Sequence, residues 1–176
     1  EKFKQQTTDS IRLSLTDFYN VIKMIDSANG QLGSDGKVIK AVTIFSIGIA
    51  YNQLKETGDS IKSLETALKI FKEIKSEDEF PALTLKILGD NYQKINQPQK
   101  ASEYYLEAIT LYRNLITRQE KGEMLSVSKI EFAEVLVASV ESLLFIGQKN
   151  KALDFSIEAA AIFNEFNKHL EKVNAI

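Results

Sequence analysis

Three short stretches of this 176-residue chain carry side chains capable of chemistry. Glu77-Asp78-Glu79 sets three acids in a row, groups that could share a proton or hold a cation. They stand where a helical pattern begins, and there the positive end of the helix dipole favours carboxylates. His169 is the sole histidine, in the run NKHLEK. Two-histidine metal sites and histidine dyads are therefore ruled out, and a solvated residue near a helix end is expected. Residues 30–36 supply glycines as a phosphate loop would, but no Gly-Lys-Ser/Thr follows them. The absence of cysteine excludes disulfides, thiolate metal sites and cysteine nucleophiles. The expectation is a chain that is not an enzyme and takes no cofactor and no metal.

The totals agree with that expectation. Apolar residues make up 44% and charged residues 26%, a globular mixture. Lys and Arg number 22 against 24 Asp and Glu, for a net charge of −2 with no basic patch, so no nucleic-acid partner is expected. The most apolar run, Val42 to Tyr51, is too short for a bilayer and holds Thr43 and Ser46, so no membrane span is expected. The opening EKFKQQTTDS is polar, has no signal peptide and lacks a starting Met; a cytoplasmic piece of a longer protein is expected.

What positions these residues is helix throughout. Ile61, Leu64, Leu68 and Phe71 recur at three- and four-residue steps, and no run alternates with period two. Breaks fall at Asn29-Gly30 through Gly36, Thr57-Gly58-Asp59, Lys75 to Asp78, Asn96-Gln97-Pro98, Lys121-Gly122 and Gly147 to Asn150. Seven helices are predicted, over 8–28, 37–56, 59–75, 79–95, 98–119, 123–146 and 150–172. Pro81 and Pro98 sit in first turns, where a missing N–H costs nothing.

The chain also repeats itself. Segment 47–71, IGIAYNQLKETGDSIKSLETALKIF, aligns with 88–112, LGDNYQKINQPQKASEYYLEAITLY. Gly48 matches Gly89, Tyr51 matches Tyr92 and Ala67 matches Ala108, each 41 positions on (89 − 48 = 41). A weaker copy, 143–163, puts Gly147 at the place of Asn96, Ala152 at Ala101, Ser156 at Tyr105 and Ala159 at Ala108. This pattern resembles the tetratricopeptide repeat, in its long form of about 40 residues, with small and aromatic residues at set places of two helices, A and B. The first copy departs from it with Ser60 where a helix-B Ala belongs and with Gly58 about three residues late. The third has Val140 and Leu143 in place of the helix-A Gly and Tyr.

The resemblance implies an all-α fold, an α–α superhelix (solenoid) forming one domain over 1–176. Within it, 8–34 is a partial repeat with helix B only, 37–77 the first repeat, 78–120 the second and 123–172 a degenerate third. Gly48, Gly89, Ala101 and Ala152 provide close helix contacts, Tyr51, Tyr92 and Tyr105 fill the hollows beside them, and Ala67, Ala108 and Ala159 let the next helix approach.

The resemblance further implies a protein-interaction scaffold that holds a peptide or protein on a concave surface lined by A helices. Carried over place by place, the groove residues are Val42, Phe45, Ile49, Asn52 and Gln53, then Leu83, Lys86, Asp90, Gln93 and Lys94. In the third copy Glu134, Val137, Glu141, Leu144 and Phe145 follow. Ile49 and Asp90 stand where a carboxylate-gripping clamp needs Asn and no negative charge, so chaperone-tail binding of that type is not expected. The alternative function is a sensor segment of a larger enzyme, similar to response-regulator phosphatases or caspase-like proteases, with catalysis outside this chain. Leu13, Leu15, Phe18 and Ile22 at one end, and Leu153, Ile157, Phe163 and Phe166 at the other, are expected to be partly uncovered, open to further repeats or self-association.

Overall fold

The computed structural model of the chain describes residues 2–28, 31–125 and 127–174, with side chains for those between 5 and 170. Of the expected break at Asn29-Gly30 through Gly36, residues 29 and 30 lie outside the described residues, and Gly33 to Gly36 instead form the first turn of α2. Seven helices and no strand occur among the described residues: α1 (Lys2–Ser27), α2 (Gly33–Gln53), α3 (Thr57–Glu73), α4 (Phe80–Lys94), α5 (Pro98–Glu120), α6 (Lys129–Phe145) and α7 (Lys149–Asn174).

Consecutive helices pack as hairpins α2/α3, α4/α5 and α6/α7, with α1 laid against α2 alone. Three helix starts differ from expectation by more than two residues, and α2 is one, beginning at Gly33 rather than 37. Helix α1 begins six residues early, in KFKQQT, where good helix formers carry no apolar stripe to reveal them. Helix α6 begins at Lys129 rather than 123. Val127 turns into the core before it, and Ser128 caps the helix by accepting from the Glu131 N–H at 3.3 Å.

One device ends every helix from α2 to α6. A residue in the left-handed region follows the last turn: Lys55, Lys75, Asn96, Gly122 and Gly147. The next N–H then reaches back five residues: Glu56 to Tyr51, Ser76 to Phe71, Gln97 to Tyr92, Glu123 to Arg118 and Gln148 to Leu143, at 2.9–3.1 Å. These bonds satisfy carbonyls that a helix end leaves unpaired. The first turn therefore lies at Lys55, and Gly58 is simply the second residue of α3.

Close approach within the hairpins depends on the repeated glycines. A Cβ on Gly48 would lie 2.6 Å from Leu64 Cγ, and one on Gly89 would lie 2.5 Å from Tyr105 Cε1. Ala67, Ala101 and Ala108 are fully buried, and Ala152 and Ala159 nearly so. Between hairpins, Phe80 of α4 stacks on Phe71 of α3 at 6.0 Å and meets Phe45 of α2 edge-on at 5.6 Å. Phe132 of α6 packs on Tyr112 of α5 at 6.2 Å. One core runs through α2–α7, while α1 rests on a separate small cluster of Leu15, Ile47 and Ala50.

Candidate functional site

The helices form two rows. Helix α4 lies directly against both α2 and α6, whereas α3 and α5, and α5 and α7, do not bring their backbones together. The outer row is bridged by long side chains instead: Lys72 to Glu107 at 2.7 Å and Arg113 to Glu158 at 2.5 Å. A stack tight on one side and splayed on the other is curved, so α2, α4 and α6 make its inner surface.

The expected groove residues divide into two stripes. Phe45, Asn52, Lys86 and Gln93 face the next inner helix. Phe45 is 4% exposed and locked against Phe80, so its placement on an open groove is corrected to the core. Asn52 Oδ1 accepts from Lys94 Nζ at 2.7 Å, and Lys86 Nζ pairs with Glu134 of α6 at 3.3 Å. Gln93 is half-buried, its Oε1 covered and unpaired. These positions join repeats because the same helix face that a peptide would reach is met first by the neighbouring helix.

The second stripe stays accessible. Ile49 is half-buried and Gln53 exposed, and both line a cleft with Ile11, Ser14 and Phe18 of α1. Lys94 and Phe145 are exposed, Phe145 at 72%. Asp90 is half-buried and accepts the Tyr105 hydroxyl at 2.8 Å, while Glu141 is exposed. The inner surface is thus mixed, with apolar ground and amide, ammonium and carboxylate groups along it.

Polar contacts invisible in the repeat pattern tie the hairpins together. Ser60 Oγ donates to the Gly48 carbonyl at 2.8 Å and accepts from Asn91 Nδ2 at 2.8 Å, all buried. Lys94 Nζ also approaches Asn91 Oδ1 at 3.5 Å. On the outer row, Glu65 accepts from both Tyr92 (2.7 Å) and Tyr104 (3.2 Å), whose rings stack at 5.3 Å. Burial, then the bond to Glu65, pushes the Tyr92 hydroxyl up to about 12. Tyr51 is likewise pushed up to about 12, first by its 3.0 Å bond to Tyr19 and then by burial. Burial also raises Tyr104, Tyr105 and Tyr112.

The stretches considered for chemistry stand apart from this surface. Asp78 Oδ1 accepts the Phe80 N–H at 3.1 Å at the start of α4, and Glu77 pairs with Arg118 at 3.3 Å. His169 is exposed on α7. Among the described residues no group of three or more His, Cys, Asp or Glu is placed to hold a metal ion, and no helix is long and apolar enough to cross a membrane.

Comparison with known proteins agrees with the geometry. Residues 40–114 match the tetratricopeptide repeat family model. No curated protein matches the chain. Among solved structures, the crystal structure of MamA superposes with a TM-score of 0.55 at 15% identity, covering 95% of each chain. BtubC (BKLC) from P. vanneervenii gives 0.41 at 13% identity, over 93% of this chain and 92% of that one. A Podosopora anserina structure of nearly identical TPR-like repeats gives 0.40 at 14%, over 92% of this chain and 95% of that one. Over residues 40–114 the chain thus matches the tetratricopeptide repeat, and its described helices form an all-α solenoid.

Proposed function

We propose that this chain is a non-catalytic scaffold that binds a peptide or protein partner across the inner faces of α2, α4 and α6. Tetratricopeptide arrays are in general protein-interaction scaffolds, and solenoid curvature offers an extended inner surface for that purpose. The observation that carries the reading is the accessible stripe Ile49, Gln53, Lys94 and Phe145, apolar ground edged by polar groups. Specific binding surfaces have that make-up, a buried anchor within a polar rim. Gln53 can both donate to and accept from a peptide bond. The repeat units underlying it are 37–77, 78–120 and 123–172, following the partial unit 8–34.

Selection from a displayed random-peptide library tests the reading. Selected peptides should lose affinity for Gln53→Ala and Phe145→Ala proteins and keep it for Glu103→Ala, an exposed outer-row change. Glu65 is no neutral control, because it holds two tyrosine hydroxyls. Peptides that ignore both inner changes would reject the inner surface as the binding face.

A further inference from the structure

Lysines that stand apart along the chain are gathered on one edge of the array. That edge is made by the turns joining each inner helix to its outer partner. Residues 91–102 form it in the second hairpin and residues 142–153 in the third, and neither stretch contains Asp or Glu. Lys94 and Lys100 belong to the first, Lys149 and Lys151 to the second, and all four are exposed. Because α4 lies against α6, the two turns are neighbours.

None of the four ammonium groups meets a carboxylate among the described residues. Lys94 Nζ is held by two neutral amide oxygens, Asn52 Oδ1 at 2.7 Å and Asn91 Oδ1 at 3.5 Å. Asn91 is itself fixed by Ser60, so the charge is positioned in advance of any anion. Lys100 Nζ lies 4.9 Å from the centre of the Tyr92 ring. The ammonium groups of Lys149 and Lys151 have no hydrogen bond or ion pair among the described residues. By contrast Lys72, Lys86, Arg113, Arg118 and Lys129 each pair with an acid of another helix or loop. The nearest acids stand a turn deeper: Asp90, which accepts the Tyr105 hydroxyl, and Glu141 on the inner helices, Glu103 and Asp154 on the outer ones.

Exposure here belongs to the place in the repeat. Lys151 stands where Lys100 does, as Gly147 stands at Asn96 (151 − 100 = 147 − 96 = 51), and Lys100 stays exposed with a whole hairpin stacked after it. Phe145 stands at the place of Lys94 (145 − 94 = 51), which is exposed in the same way. Two apolar side chains therefore lie among the charges, Ile95 and Phe145.

We propose that the partner of the inner surface is an acidic peptide segment that runs off that surface over this edge. Its carboxylates lie on Lys94, Lys100, Lys149 and Lys151, and an apolar side chain between them packs on Phe145. The assignment rests on the inner-surface reading and adds the chemistry of the ligand. Charge complementarity carries it, because uncompensated charge of one sign steers and selects an opposite partner. Nucleic acid fits less well: the edge holds no arginine, the residue suited to two-pronged phosphate contacts, and the chain's net charge is −2.

The probe is a short fluorescein-labelled peptide of Asp and Glu around a central Leu-Phe pair, with a counterpart in which Gln replaces every acid. Fluorescence anisotropy should show saturable binding of the acidic probe alone, weakened by salt. Binding should fall at least about tenfold in the double variant Lys149→Glu, Lys151→Glu. Both positions are exposed in the first turn of α7, where acids are favourable, so folding should survive, as circular dichroism would verify. The double variant Lys37→Glu, Lys69→Glu carries the same net charge away from this edge and should bind as the parent does. Equal loss in both variants, or no saturable binding, overturns the proposal. So does tighter binding of an oligothymidine strand than of the peptide. Library-selected peptides that need Gln53 and Phe145 yet show no excess of Asp and Glu would overturn it while leaving the inner-surface reading in place.

Discussion

Replacing Ser60 by Ala puts the fold's buried polar link to a direct test. Ala is the residue at the equivalent places of the other two copies, Ala101 and Ala152. By the repeat pattern alone, Ser60→Ala should be neutral or stabilising, with a gain of roughly 0.5 kcal/mol in helix propensity. The geometry predicts the opposite sign. The serine hydroxyl is the partner of Asn91 Nδ2, and both residues are fully buried. Its removal leaves an amide donor without water or acceptor, at roughly 1–3 kcal/mol. The net expectation is a loss of about 0.5–2.5 kcal/mol, or roughly 1–10 °C in Tm for a chain of this size. Urea unfolding followed by circular dichroism at 222 nm measures it. Adding Asn91→Leu removes the stranded donor and restores an apolar contact of similar volume. The double variant should therefore be more stable than Ser60→Ala, a coupling that independent sites would not show. A Ser60→Ala protein as stable as the parent, or more so, would refute the reasoning.

Further outcomes follow from single contacts. Gly89→Ala should cost at least about 2 kcal/mol in the same assay, because the new methyl meets the immobile ring of Tyr105. Lys75→Gly should raise stability by about 0.5–1 kcal/mol, since a lysine at φ +52° carries a strain that glycine lacks. Tyr112→Phe should be neutral or stabilising by up to about 1 kcal/mol, its buried hydroxyl having no partner among the described residues. Folded Tyr51 and Tyr92 hold their protons to about 12 against an ordinary value of 10. The unfolded chain loses protons first as pH rises, so this contribution is full below 10 and is lost between 10 and about 12. Urea midpoints measured across that window should fall, and fall less in Tyr92→Phe.

The helices and their order follow from local periodicity and punctuation, which is why α3, α4 and α5 lie within about two residues of their expected bounds. The start of α6 was also legible. Ser128-Lys129-Ile130-Glu131 is a capping sequence, obscured in the periodicity because the apolar residues Leu125 and Val127 extend the pattern upstream. The turn at Lys55 was not legible: lysine gives no sign of left-handed backbone, and only the bond from Glu56 to the Tyr51 carbonyl reveals it.

By itself the sequence determined the class of fold and the repeat, because small and aromatic residues at fixed intervals report a packing requirement that each hairpin meets within its own two helices. It also determined the absence of thiol and paired-histidine chemistry, since composition alone decides that. Tertiary structure decided which face of each inner helix remains free. Phe45, Asn52 and Lys86 have the residue types of a binding groove, yet their partners Phe80, Lys94 and Glu134 come from the next hairpin, 35 to 48 positions away (80 − 45 = 35, 94 − 52 = 42, 134 − 86 = 48). The same helix positions are covered or paired where a described neighbour packs on them, whereas Val137 and Leu144, met by no further hairpin among the described residues, are about half exposed. Spacing along one helix records what that helix can pack against; only the stacking of hairpins determines what is there to meet it.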